Sequence, residues 1–332
     1  MIDHAARFLP WADVAVPDGA KCFQKHEVSR IVSRDPTLMW NAERATVSEP
    51  SPVRRIALFY SPSLTTLPAL NRFMVELGDR VGLVVLSPAY RIDGRSFWPS
   101  MLRRLWFSGS KFMTFWAVDS LAPRAIELLA NLPFRVARHP VLKTAEKLSH
   151  QCGAKVFEAI DVNAPSVISA VSKYDADVLV VLHLSQEVNH AALRMARLGS
   201  LVIHPVVAPF EDRKCPAFWA LAEKRQPGVS IHRVQAWFGE QETVVDKVLL
   251  PVDQKTSVAE LNSLLYLYGA GLLTNAIAAI ERGADIGREP VGKKHSRHFP
   301  SRRAVAMATR AGVSLWKFPH LRRLFVFALK NR

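Results

Sequence analysis

The sequence predicts an α/β fold built on a mostly parallel sheet, and three observations point there. Short, continuously apolar runs recur, as in IALFY (Ile56–Tyr60), VGLVVL (Val81–Leu86) and VLVVL (Val178–Leu182). Strands read this way when both faces of the sheet are covered and neither meets water. Helical spacing alternates with these runs, from Leu67 to Leu77 and from Pro165 to Lys173. A proline in the first turn suits the start of the second helix, because the N–H it lacks has no partner there. Finally, the strand, helix, strand rhythm is the one that builds parallel units.

Taken in order, residues 1–52 show weak periodicity and end in the linker-like ATVSEPSP, which predicts a partly irregular N-terminal extension. An α/β domain follows over 53–250. Its rhythm breaks from Phe97 to about His139, so 97–140 is read as a mainly helical insertion. The pattern resumes with a strand at Lys155–Glu158, the Pro165 helix, the Val178 strand and a helix around Val188–Arg197. LGSLVIHPVVAPF then gives a short strand that ends at His204, where Pro205 and Pro209 stop further pairing. A helix at Ala217–Lys224 precedes two more strands, VSIHRVQAW and ETVVDKVLLPV. The alternation in the first of these suits an edge or antiparallel position. The last region, 251–332, holds a long helix opened by Thr256 and Ser257 with an acid near its third position, followed by a basic, helical tail.

Bulk composition narrows the classes. With 332 residues, 49% hydrophobic and 22% charged, the chain reads as an ordinary globular protein. Cys22, Cys152 and Cys215 are far apart and odd in number, so they form no disulfide framework and fit a reducing compartment. The opening MIDHAARFLPWADV has early acids and no apolar core, and no apolar run approaches the roughly 18–20 residues of a membrane span. The expectation is a cytoplasmic protein. No strand leads into a GxGxxG or Walker-type loop, so the usual dinucleotide and nucleotide-phosphate signatures are missing. The formal charge is +15, and residues 283–332 supply +10 of it, with twelve Lys and Arg against Asp285 and Glu289. Such an excess attracts anionic partners without saying which.

A histidine at the carboxyl end of a sheet strand stands where open α/β sheets collect ligands. Around His204 the order is distinctive. Asp177 opens a hydrophobic strand, Gly199 precedes the His204 strand, and Pro209 and Pro216 flank a loop. WALAEKRQPGVSIH brings Gly228 and His232, and LYGAGLL sits in the long helix. From about Asp175 to Gly283 this resembles the catalytic domain shared by methionyl-tRNA, glycinamide ribonucleotide and sugar formyltransferases. Arg55 to Val171 is compatible with it. The resemblance implies a Rossmann-like formyltransferase fold and N-formyl transfer from 10-formyltetrahydrofolate to a small amine, such as an amino sugar of a surface polysaccharide. It further implies that His204 is the catalytic centre, with an acid on the loop after the next strand to orient it. The loop Leu184, Ser185 and Gln186 and the segment from Pro205 through Pro209 to Pro216 would wall the folate cleft.

The match is incomplete in the places where chemistry is done. The family's Asn, two residues before the His, is Val202; its Ser two residues after is Val206; the glycine of its proline loop is Arg213. The Asp position is Gly239, although a loop longer by one residue brings Glu240 there. A second class therefore stands beside the enzyme: a catalytically silent homologue that binds a ligand, a membrane or a protein. Cys215, beside Arg213 and Lys214, sits in the proline loop at the mouth of the pocket, and His183, at the end of its strand, faces the same sheet edge as His204. Asn163 is either a helix cap or a binding residue. His183, His204 and His232 find no carboxylate or cysteine at a metal-ligand spacing, so no metal site is expected. Aromatics interleave with Arg103, Arg104 and Lys111 in the insertion and again in LWKFPHLRRLFVFALKNR, which suits peripheral contact with an anionic membrane. Only about 50 residues follow the long helix, too few for the tRNA-binding barrel of the tRNA enzymes, so tRNA is not the expected substrate.

Overall fold

Every apolar run predicted as a strand pairs into one sheet. The computed structural model describes residues 52–87, 97–130, 143–207, 214–234, 242–253, 255–284, 286, 289–290 and 299–320. The strands are β1 (Ile56–Tyr60), β2 (Val81–Leu86), β3 (Lys155–Glu158), β4 (Val178–His183), β5 (Ser200–His204), β6 (Gly228–Val234), β7 (Glu242–Leu249) and the two-residue β8 (Glu289–Pro290). Their order is β3-β2-β1-β4-β5-β6-β7-β8. β1 to β5 run parallel, and β6, β7 and β8 are added antiparallel. The chain winds outward from β1 to β3, then returns to lay β4 on the other side of β1. That reversal opens a crevice at the carboxyl ends of the strands.

The helices are α1 (Leu67–Leu77), α2 (Phe97–Ala130), α3 (Ala145–Gln151), α4 (Pro165–Tyr174), α5 (His190–Leu193), α6 (Pro216–Ala222), α7 (Val258–Glu281) and α8 (Arg302–Arg310). Alternate strand residues serve opposite faces. Ala57, Phe59, Leu179 and Val181 join Val167 and Val171 of α4 in one buried cluster. On the other face α1 packs against α7, and α7 lies across β5 and β6. Ser257 caps α7 by accepting from the Glu260 N–H at 3.3 Å.

Several expectations are corrected. The helix predicted over Val188–Arg197 shrinks to the four residues of α5. β6 is antiparallel, one of the two positions its alternation suited, and it is internal to the sheet instead of at an edge. α7 is, by length and composition, apolar enough to cross a membrane, contrary to the expectation that no segment is; its apolarity here serves the contacts with α1 and the sheet. The described part of the insertion, 97–130, is helical, and α2 is two helices joined at a kink where Gly109 takes φ 79°; residues 131–140 lie outside the described residues. The N-terminal extension, Pro209, Arg213, Gly239 and Glu240 lie outside the described residues.

Candidate active site

Antiparallel pairing builds the site. β5 and β6 align Val202 with His232 and His204 with Ser230. Directly paired residues share a face, and so do residues two apart. His204, Val202, Ser230 and His232 therefore lie together on one side. β7 aligns Val234 with Glu242, and a bulge between Ile231 and His232 resets the register to put His232 opposite Val244. Glu242 joins the same face.

The resulting group is close. The His204 and His232 rings stack with centroids 4.0 Å apart and 30° between their planes. Glu242 Oε2 stands 3.4 Å from His232 Nδ1 and 4.0 Å from His204 Nε2. The His232 side chain is 2% exposed and that of Glu242 13%, while that of His204 is 27% exposed and opens outward. Ser230 Oγ donates to the Val206 carbonyl at 2.8 Å and lies 2.9 Å from His232 Nε2.

His204 and Glu242 line a cavity of about 660 Å³ at the switch point of the sheet, within the usual size of small-ligand sites. Leu184, Ser185, Gln186 and Pro205 line it too, so the described residues of the predicted site converge on one space. Asn163, His183 and Cys215 also border it. The acid beside His204 among the described residues is Glu242, two positions beyond the predicted Glu240, whose own placement lies outside them. The expectation that no carboxylate completes a ligand set with the histidines is also corrected: His204, His232 and Glu242 offer donor atoms within 4.8 Å of one another. His183 is not part of that set.

Other residues turn out to be architectural. Gln186 accepts from the Val162 N–H at 3.1 Å and donates to Ser87 Oγ at 3.2 Å and to the Ile160 carbonyl, which holds the 184–188 loop against β2 and β3. Asn163 does not cap α4, whose N-cap is Ala164. Its side chain instead donates to the Glu187 carbonyl at 2.9 Å and accepts from the Asn189 N–H at 2.7 Å. His183 Nδ1 lies 2.8 Å from the Ser61 carbonyl, so that nitrogen donates and the other keeps its lone pair. Burial pushes the His183 pKa below the ordinary histidine value, outweighing the Ser61 bond and the charge of Asp119. Burial likewise pushes the Cys215 thiol up to about 12, against the pull of Arg104 and Lys214. Cys215 borders the cavity with its proton held more tightly than on a free thiol.

Sequence reading missed Asp119, which α2 brings to the cavity. Its carboxylate accepts from Ser63 Oγ at 2.7 Å and from the Thr65 N–H at 2.9 Å. Asn262 of α7 also lines the cavity and donates to Thr65 Oγ1 at 2.8 Å, so helix and insertion meet on the loop after β1. No signal in the chain joins residues so far apart.

The fold is an α/β sheet with a strand-end histidine opening into a switch-point cavity, and the known proteins to which the chain is similar are formyltransferases. Among relatives, a methionyl-tRNA formyltransferase from Synechococcus sp. (strain JA-3-3Ab) is 28% identical over 120 residues, 36% of this chain and 37% of that protein. The match thus spans little more than a third of the relative. Among solved structures, glycinamide ribonucleotide transformylase 1 from Symbiobacterium toebii is 15% identical with a TM-score of 0.45, over 76% of this chain and 99% of that one. A sugar N-formyltransferase from a Shewanella species is 11% identical with a TM-score of 0.45, over 77% and 87% of the two chains. No family model matches the chain.

Proposed function

We infer that this protein transfers a formyl group from 10-formyltetrahydrofolate to a small amine, an amino sugar being the favoured acceptor class. The observation that supports this reading is His204, open to a cavity roomy enough for a pterin and set beside the Glu242 carboxylate. In the reaction the amine nitrogen bonds to the formyl carbon and forms a tetrahedral oxyanion. The bond from that carbon to the folate nitrogen then breaks, and the proton lost by the new ammonium ends on the departing nitrogen. His204 faces the developing oxyanion, and Glu242 fixes the position of the histidine pair. Val202 donates nothing to that oxygen. One missing oxyanion donor costs about 2.7–4 kcal/mol, roughly 10²–10³ in rate, so a slow enzyme is expected.

Thermal unfolding with and without folate separates this reading from a silent homologue. At a folate concentration about a hundred times Kd, binding adds about 2.7 kcal/mol of stability. A shift together with formylation of an amine supports the enzyme. A shift without turnover on amino sugars or charged tRNA favours a silent binder, and no shift at millimolar folate removes the support for the enzyme.

A second observation favours attachment to an anionic bilayer. α2 exposes Leu102, Trp106 and Phe107, and the tail exposes Met307 and Phe318, with Trp106 80% and Phe318 76% exposed. Arg103, Lys111, Arg302, Arg303 and Arg310 are exposed beside them, and neither 97–118 nor 299–320 contains an acid. Phe112 and Phe115 of α2, by contrast, turn inward onto Phe218 and Trp316. The two halves of α2 thus divide between packing and surface, and the surface half has the composition of a membrane interface. The full chain should float with phosphatidylserine vesicles at low salt and release at high salt; sedimentation away from such vesicles at low salt would contradict the attachment.

A further inference from the structure

We propose that His204, His232 and Glu242 bind one zinc-class divalent cation at the edge of the cavity. The case begins with a single proton on Ser230. A hydroxyl has one hydrogen, and Ser230 Oγ gives it to the Val206 carbonyl at 2.8 Å. While it does so, the 2.9 Å contact between Ser230 Oγ and His232 Nε2 is donated by the histidine. With its proton on Nε2, a neutral His232 turns the lone pair of Nδ1 toward Glu242 Oε2 at 3.4 Å. Two acceptors then face each other at a site where His232 is 2% exposed. A cation held by both atoms would satisfy the pair, and His204, His232 and Glu242 offer donor atoms within 4.8 Å of one another.

The surroundings favour the metal. A ligating histidine ordinarily donates its other N–H to a fixed acceptor, which sets tautomer and ring orientation. The chain from His232 Nε2 to Ser230 Oγ to the Val206 carbonyl is such a support. His204 brings a second imidazole within reach of the same carboxylate oxygen, at 4.0 Å. Two imidazoles and one carboxylate form a familiar zinc donor set that leaves a fourth position open. Donors around a tetrahedral zinc stand roughly 3.3 Å apart, a separation the His232–Glu242 pair already has. The remaining closure asks for rotation of the His204 ring, which is free of tight burial at 27% exposure. The open position would face the cavity that His204 and Glu242 line. If the formyl-transfer reading holds, an ion there would polarise the formyl oxygen in the role that Val202 cannot fill. Binding itself does not need that reading, because it is measured without folate or amine.

The test uses the full chain, stripped with a chelator, loaded with Zn²⁺ and dialysed. Metal is counted by mass spectrometry, and Co²⁺ loading is followed by its visible bands. We expect about one retained equivalent and the intense bands of a four-coordinate ion. Glu242→Gln and His204→Ala should abolish retention, with folding checked by circular dichroism. Ser230→Ala should weaken affinity about 10–100-fold by freeing the His232 ring. No retained zinc in the wild-type protein would overturn the proposal, as would equal retention in the Glu242→Gln and His204→Ala proteins.

Discussion

His183 and Asp177 show how single residues tie the site to the state of the chain. Asp177 is buried at the foot of β4, which by itself raises a carboxyl pKa. The Arg197 hydrogen bond, the N–H groups of Arg54 and Arg55 and the Arg197 charge outweigh that and hold it below the usual range. It staples the segment before β1 to β4 and the turn after α5. His183 behaves oppositely to a surface histidine. Burial lowers its folded-state pKa, so below the unfolded value of about 6.5 the unfolded chain takes up a proton that the folded one refuses. Stability is therefore full above that value and falls as the pH drops beneath it. Melting temperature measured from pH 8 to pH 5 should show this decline, and His183→Gln should flatten it; an equal decline in the variant would assign the loss to other groups.

At the scale of elements, α7 sets the position of β5 and hence of His204. A Cβ added at Gly269 would meet Ile203 Cγ2 at 2.7 Å and Val229 Cγ2 at 3.1 Å, both side chains of the sheet beneath. Gly269→Ala gains about 1 kcal/mol in helix propensity and costs about 1–3 kcal/mol in overpacking, so net loss of stability is expected. Chemical denaturation checks it, and a stabilised variant would show that α7 can lift from the sheet. The strands themselves were legible in sequence because both of their faces are covered, which leaves continuous apolar runs such as Ile56–Tyr60. α5 was not, because the apolar spacing over Val188–Arg197 partly serves a loop anchored by Asn163 and Asn189. The Glu242 contact was not legible for a similar reason. Spacing along the chain pointed to Glu240, whereas Glu242 reaches the histidines through β6–β7 pairing and a bulge that no linear count reveals.

For the whole molecule, the sheet gathers residues from β1 to α7 around one cavity, and the loops lining it are held by Gln186, Asn163 and Asp119. The general location was legible from His204 at a strand end followed by prolines. The donor cluster was not, because histidines at 204 and 232 and an acid at 242 become neighbours only once two antiparallel strands are in register. Turnover of 10-formyltetrahydrofolate against a panel of amino sugars, compared between wild type and His204→Ala, addresses the central claim most directly. A slow but measurable wild-type rate, falling about 10²-fold or more in the variant while the folate-induced thermal shift persists, is the expected result. Equal rates in the two proteins would contradict it.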